Sequence, residues 1–170
     1  MTRRALERRA LGGGEDPALW RWREVVPFGK VGFNYLLMSF ARVSPSLGFK
    51  NHLYRAMGAK VGRRVAVGLE VNFDIFWPEL ITIEDQATIG FGTTILCHEF
   101  LYDEFRTGPV VIGARATIGA NTTILPGVRI APDTIVSAHS LVNSDVEGFV
   151  GGVPARPLKR HRRRPPKDGT

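Results

Sequence analysis

The sequence predicts an all-β fold, a parallel β-helix built from six-residue repeats, with an α-helical segment ahead of it. The first observation is a period. Ile83, Ile89 and Ile95 fall six apart, and so do Ile112, Ile118, Ile124, Ile130, Val136 and Val142. A helix returns its apolar residues every three or four positions and a plain strand every second one, so six fits neither. It fits a coil of short strands and turns, each repeat sending one aliphatic side chain into a shared dry interior. The second observation is the company each aliphatic keeps. Small residues stand two places before it (Ala87, Thr93, Ala116, Thr122, Thr134 and Ser140), which suits a narrow corner, and glycine often follows it, as at Gly90, Gly113 and Gly119, where a turn needs backbone without a Cβ. The third is that residues 18–57 lack the period and are the most aromatic part of the chain.

In chain order, residues 1–17 read as a flexible basic lead, with a short basic helix candidate set off by the glycines at 12–14. Residues 18–57 read as helical. Pro27 and Pro45 bracket one helix over about 29–43, and a second runs over about 47–57. Two uses of this apolar segment are open: capping the open end of the β-helix or packing a subunit, and peripheral membrane contact, since Val31, Phe33, Leu36, Leu37 and Phe40 are flanked by Lys30 and Arg42. The β-helix proper spans 58–150. It begins at Val61-Gly62 and Val67-Gly68, reaches Phe73-Asp74, breaks at 75–80 and resumes at Ile83. A second break, the loop 99–109, follows His98 and ends before an unbroken run of repeats. Residues 151–170 form a C-terminal segment ending in a basic tail.

Composition bounds the function. The chain has 170 residues, room for one domain with a real core. Its single cysteine, Cys97, excludes an internal disulfide, and no metal-type cysteine spacing exists. No signal-peptide core and no apolar run of bilayer length is present, so the expected location is the cytoplasm, with the inner membrane face as the peripheral alternative. The net charge of +7 resides in the ends: residues 1–23 and 156–170 hold thirteen of the twenty-three basic residues. No aromatic-interleaved basic face or recognised binding motif accompanies these basic ends, so no nucleic-acid partner is expected.

The hexads, the run Cys97-His98-Glu99 before the second break, the segment Asn72-Phe73-Asp74 and the ending Gly152-Val153-Pro154-Ala155-Arg156 together resemble the left-handed β-helix acyltransferases of the hexapeptide-repeat family, above all the maltose and galactoside O-acetyltransferases. The resemblance covers about residues 58–160. It implies the left hand, a homotrimer with each active site between neighbouring subunits, and acetyl-CoA as donor with no metal required. It places His98 as general base. Neutral imidazole, with an unperturbed pKa of about 6.5, suits removal of a hydroxyl proton at cytosolic pH, and Glu99 is the expected orienting partner. Acceptor contacts fall on Asn72, Asp74 and Glu79, although Asn72 and Asp74 read equally well as turn residues bonding their own backbone. Coenzyme contacts fall on Ala120, Ala138, Asn143, Ser144, Arg156 and Lys159, the two cations facing nucleotide phosphates. The sequence departs from the family pattern at Asp74, which replaces an asparagine, at His139, which replaces a glycine, and at Asn143-Ser144, where a lysine is missing. The expected activity is transfer of an acetyl group to a hydroxyl of a sugar or glycoconjugate. The rival from another class is a non-catalytic β-helix scaffold that binds no acetyl-CoA. A metal enzyme on the same fold needs three clustered histidines, and His52, His98, His139 and His161 are scattered.

Overall fold

The computed structural model describes residues 4–11 and 16–159; the glycines at 12–14 and the tail from 160 onward, with His161, lie outside the described residues. The six-residue ladder closes into a three-sided prism of parallel strands. On the first face Val61, Ile83, Ile112 and Ile130 stack in register. On the second, Val67, Ile89, Ile118, Val136 and Val150 do so, and on the third Phe73, Ile95, Ile124 and Val142. Three hexads therefore make one coil. All these side chains are buried, each worth about 1.5–3 kcal/mol relative to exposure.

Corner chemistry divides between two kinds of position. The small residues before each aliphatic, from Ala87 to Ser140, are enclosed inside the corners. The glycines after the aliphatics serve close approach: a Cβ on Gly119 would lie 2.3 Å from the backbone nitrogen of Ala138 in the next coil. Left-handed backbone falls elsewhere, on Arg64, Glu70, Gln86, Arg115, Asn121, Asp133 and His139. His139 thus occupies a position where glycine would be unstrained.

Both breaks leave the prism at one corner. Residues 74–80 depart after Phe73 and residues 96–109 after Ile95, both runs rejoining the first face where Ile81 pairs with Val110, and Phe73 and Ile95 are direct neighbours on the third face. The second break is a β-hairpin, not an irregular loop: His98–Phe100 pairs antiparallel with Glu104–Thr107. The N-terminal lead is a correction of the same kind. Glu7–Ala10 is not helical but an extended strand on the outer edge of that hairpin, joined by Ala5 N–H to the Gly127 carbonyl at 3.0 Å and Leu11 N–H to the Asp103 carbonyl at 2.9 Å. All four of its residues are exposed, so no apolar alternation marked it as a strand.

The helices are α1 (Phe28–Val43) and α2 (Leu47–Ala56), the latter capped by Ser46, whose Oγ accepts from Phe49 N–H. The first coil has carbonyls with no coil beyond to pair them. Side chains of α2 donate to them: Lys50 to Gly68, Asn51 to Val65, Tyr54 to Val71, and Arg55 to Val61 and Gly62. Tyr54 also stacks on Phe73 at 3.9 Å between ring centroids. The Lys50 ammonium is buried under α2, and burial lowers its pKa against the opposing pull of Glu70.

Candidate active site

Because both breaks open at one corner, residues twenty-four apart in sequence meet there. His98 Nδ1 lies 2.5 Å from Asp74 Oδ2. The second oxygen, Oδ1, accepts from the backbone N–H groups of Phe76 at 2.8 Å and Trp77 at 3.1 Å, and Oδ2 also accepts from Cys97 N–H at 2.6 Å. Asp74 is 2% exposed. Burial pushes its pKa up, but the hydrogen bond from His98, the His98 charge and the backbone donors outweigh this, and the net shift is downward. An ionised carboxylate only accepts, so the Nδ1 of His98 carries a hydrogen, and in the neutral imidazole the lone pair is then on Nε2. That is the tautomer a general base needs. The imidazole is held by an aromatic box, with Phe76, Phe100 and Trp77 at 4.7, 5.2 and 5.4 Å.

This arrangement redistributes the expected roles. Glu99 does not hold the imidazole: adjacent residues on a strand point to opposite faces, and its carboxylate is bound by Arg4 at 2.6 Å. Asp74 does that work instead, and with its oxygens occupied and buried it offers nothing to an acceptor. Asn72 donates to the Glu70 carbonyl at 3.0 Å, the local bond its turn reading anticipates. Glu79, in the turn Pro78–Leu80, pairs with Lys30 of α1 at 2.8 Å. Cys97 is fully buried beside Asp74, and burial followed by the Asp74 charge pushes its thiol pKa well up, so it is no nucleophile. The side chains missing from the sequence-based set are Phe76, Trp77, Phe100 and Arg4. The signal for the Asp74–His98 pair was present: Asp74 follows Phe73, His98 follows Ile95 by three, and counting hexads makes those two ladder residues neighbours.

The coenzyme candidates sit on two edges. Ala120 and Ala138 stack at the corner between the second and third faces, with His139 N–H donating to the Ala120 carbonyl at 2.8 Å. Asn143 and Ser144 follow Val142 at the corner that also carries His98, and Ser144 is buried. Arg156 pairs with Gly151 in the closing antiparallel strand, and Arg156 and Lys159 are exposed. Within one chain the structure does not bring Ala120 and Ala138 to His98.

The match to known proteins is direct. The model of the bacterial transferase hexapeptide (six repeats) family fits residues 109–144. A protein of Bacillus subtilis (strain 168), "Putative acetyltransferase YvoF", is 45% identical over 156 residues, covering 90% of each chain. The chain belongs to the hexapeptide-repeat acetyltransferase family. Among solved structures, galactoside acetyltransferase in complex with coenzyme A superposes with a TM-score of 0.62 at 24% identity, over 77% of this chain and 80% of that one. A hexapeptide-repeat acetyltransferase of Vibrio cholerae complexed with acetyl coenzyme A gives 0.60 at 23% identity, over 77% and 86%. These likenesses show the fold, the left-handed β-helix. The segment fitted by the hexapeptide family model is the pair of unbroken coils carrying Ala120 and Ala138, while Asp74 and His98 lie outside it, where the repeats fail.

Proposed function

We propose that the protein is a CoA-dependent O-acetyltransferase that moves an acetyl group from acetyl-CoA to a hydroxyl of a sugar or glycoconjugate, with His98 as general base and Asp74 as the residue that orients it. The observation that carries this reading is the buried carboxylate 2.5 Å from His98 Nδ1, which leaves Nε2 free to accept a proton. In the reaction Nε2 takes the acceptor hydroxyl proton as the oxygen attacks the thioester carbonyl carbon. A C–O bond forms, and the tetrahedral oxyanion is met by backbone N–H groups. Collapse breaks the C–S bond, and the imidazolium returns its proton to the departing thiolate. The products are an O-acetyl ester and free coenzyme A. Such a base contributes about 10² to 10⁴ in rate.

The donor groove runs past Ala120 and Ala138, whose small side chains admit the pantetheine arm, toward the cations Arg156 and Lys159. The solved relatives that bind coenzyme A and acetyl coenzyme A support this assignment. Since that groove and His98 occupy different edges of one prism, a working site joins the His98 corner of one subunit to the Ala120–Ala138 corner of the next, in a homotrimer whose cyclic symmetry makes three such sites. The test is to incubate the protein with acetyl-CoA and sugar, nucleotide-sugar and lipid-linked sugar acceptors, following free thiol and acetylated product. Mixing H98A with a donor-groove variant such as A138W gives a second reading. Shared sites predict recovered activity in mixed trimers, and no recovery would place each site within one chain.

A further inference from the structure

The outer face of α1 is more apolar than its inner one. Inward it presents Val31, Asn34, Met38 and Ala41. Outward, at helical spacing, come Gly29, Gly32, Phe33, Leu36, Phe40 and Val43, without a charged or hydrogen-bonding side chain among them. Phe33, Leu36 and Phe40 are each more than half exposed, and Val43 is 66% exposed. Further exposed apolar side chains flank it in sequence, Leu47 and Phe49 after it and Leu19, Trp20 and Phe28 before it. Ten of the sixteen exposed large apolar side chains among the described residues lie between positions 19 and 49. A monomer surface rarely leaves a contiguous apolar area of this kind uncovered.

Charge decides what covers it. Residues 18–57 carry six basic side chains (Arg21, Arg23, Lys30, Arg42, Lys50 and Arg55) against one acidic, Glu24, a balance of +5. Residues 58–155 carry six basic and eleven acidic, a balance of −5. Arg21, Lys30 and Arg42 are paired with Glu24, Glu79 and Glu70, so the positive surplus on the side of the apolar face rests on Arg23, Arg55 and the buried Lys50. Two copies of that face brought together would set like charge against like, whereas an anionic surface complements it. The aromatic and basic residues are also interleaved as at a membrane boundary: the Arg23 guanidinium lies over the rings of Phe28 and Trp22 at 4.9 and 5.7 Å.

We propose that residues 19–49 dock this enzyme flat on an anionic lipid bilayer, α1 lying in the interface with Phe33, Leu36, Phe40 and Val43 among the acyl chains. The geometry also ties docking to the reaction centre. Trp20 and Trp22 line, with Phe76, a cavity of about 680 Å³, and Phe76 is the ring packed on His98. Docking thus brings the aromatic wall of the base to the membrane surface, where a hydroxylated head group anchored by its own hydrocarbon chain would reach it. The docking step itself is independent of the proposed reaction.

Flotation of the full chain with phosphatidylcholine vesicles, with and without phosphatidylglycerol, tests it. The wild type floats with the anionic vesicles, less so at raised salt, and F33D/F40D loses at least about tenfold in binding. Both positions are solvent-facing, so the variant keeps its fold, checked by circular dichroism and coenzyme binding. Failure of the wild type to float overturns the proposal. So does a variant that floats as well as the wild type, which would assign binding to another part of the chain, and so does a variant whose oligomeric mass changes, which would make the stripe a contact between copies.

Discussion

Asp74→Asn separates the orienting carboxylate from everything else at the corner. Asp74 accepts four hydrogen bonds, two on each oxygen. An asparagine can keep one oxygen for the Phe76 and Trp77 N–H groups, and its NH₂ then faces Cys97 N–H and His98 Nδ1. Two consequences follow. The Cys97 N–H loses its acceptor in a buried place, at a cost of about 1–3 kcal/mol of stability. The amide hydrogen donates to Nδ1, which shifts the imidazole proton to Nε2 and removes the lone pair that should meet the acceptor. The expected loss in kcat is about 10² to 10⁴, the full contribution of a general base, with the KM for acetyl-CoA unchanged. Thiol release at saturating acetyl-CoA measures both. The substitution also has a pH signature. The folded-state pKa of Asp74 is depressed, so its contribution to stability is present above the unfolded value of about 3.9 and is lost as pH falls through the lower folded value. In D74N that part of the acid-side loss of melting temperature disappears. A kcat within about threefold of wild type, roughly 0.6 kcal/mol of barrier, would refute the orienting role.

Glu99→Gln breaks only the Arg4 pair, half-shielded at the hairpin; it should lower stability by about 1 kcal/mol or less and leave kcat near wild type, in contrast to D74N. Native Cys97 should resist iodoacetamide at neutral pH and react once the chain is unfolded in urea, because burial holds its thiol protonated; rapid native alkylation would contradict its packing. Gly119→Val forces a side chain against the Ala138 backbone, and should lower stability by at least about 1–3 kcal/mol in a urea titration. Removing residues 2–11 strips the outer strand from the hairpin, and should reduce kcat while leaving coenzyme binding, measured by calorimetry, in place.

How much was legible depended on whether the signal was periodic. The prism was, since Ile83 to Val142 count out its coils and every ladder residue is buried where the count puts it. The two helices were nearly so, because Pro27 and Pro45 punctuate them, and the structure places them within a residue or two of the expected bounds. The strand Glu7–Ala10 was not, because its four exposed side chains carry no pattern and its partner is a hairpin a hundred residues away. At the site His98 was legible from its place beside a break. Its partner was misjudged because adjacency in sequence favoured Glu99, while strand geometry turns that side chain away and stacked breaks bring Asp74 across one coil. The small corner residues and the ladder glycines looked alike as turn signals, yet only the folded chain separates close approach at Gly119 from left-handed backbone at His139.

The most direct measurement is the pair of acetyl transfer and acetyl-CoA binding in His98→Ala. With His98 as the base, kcat falls by about 10² to 10⁴ while the Kd for acetyl-CoA and the assembly state stay as in the wild type. Retained transfer would remove His98 as the base, and wild-type protein that binds no acetyl-CoA would make the β-helix a scaffold.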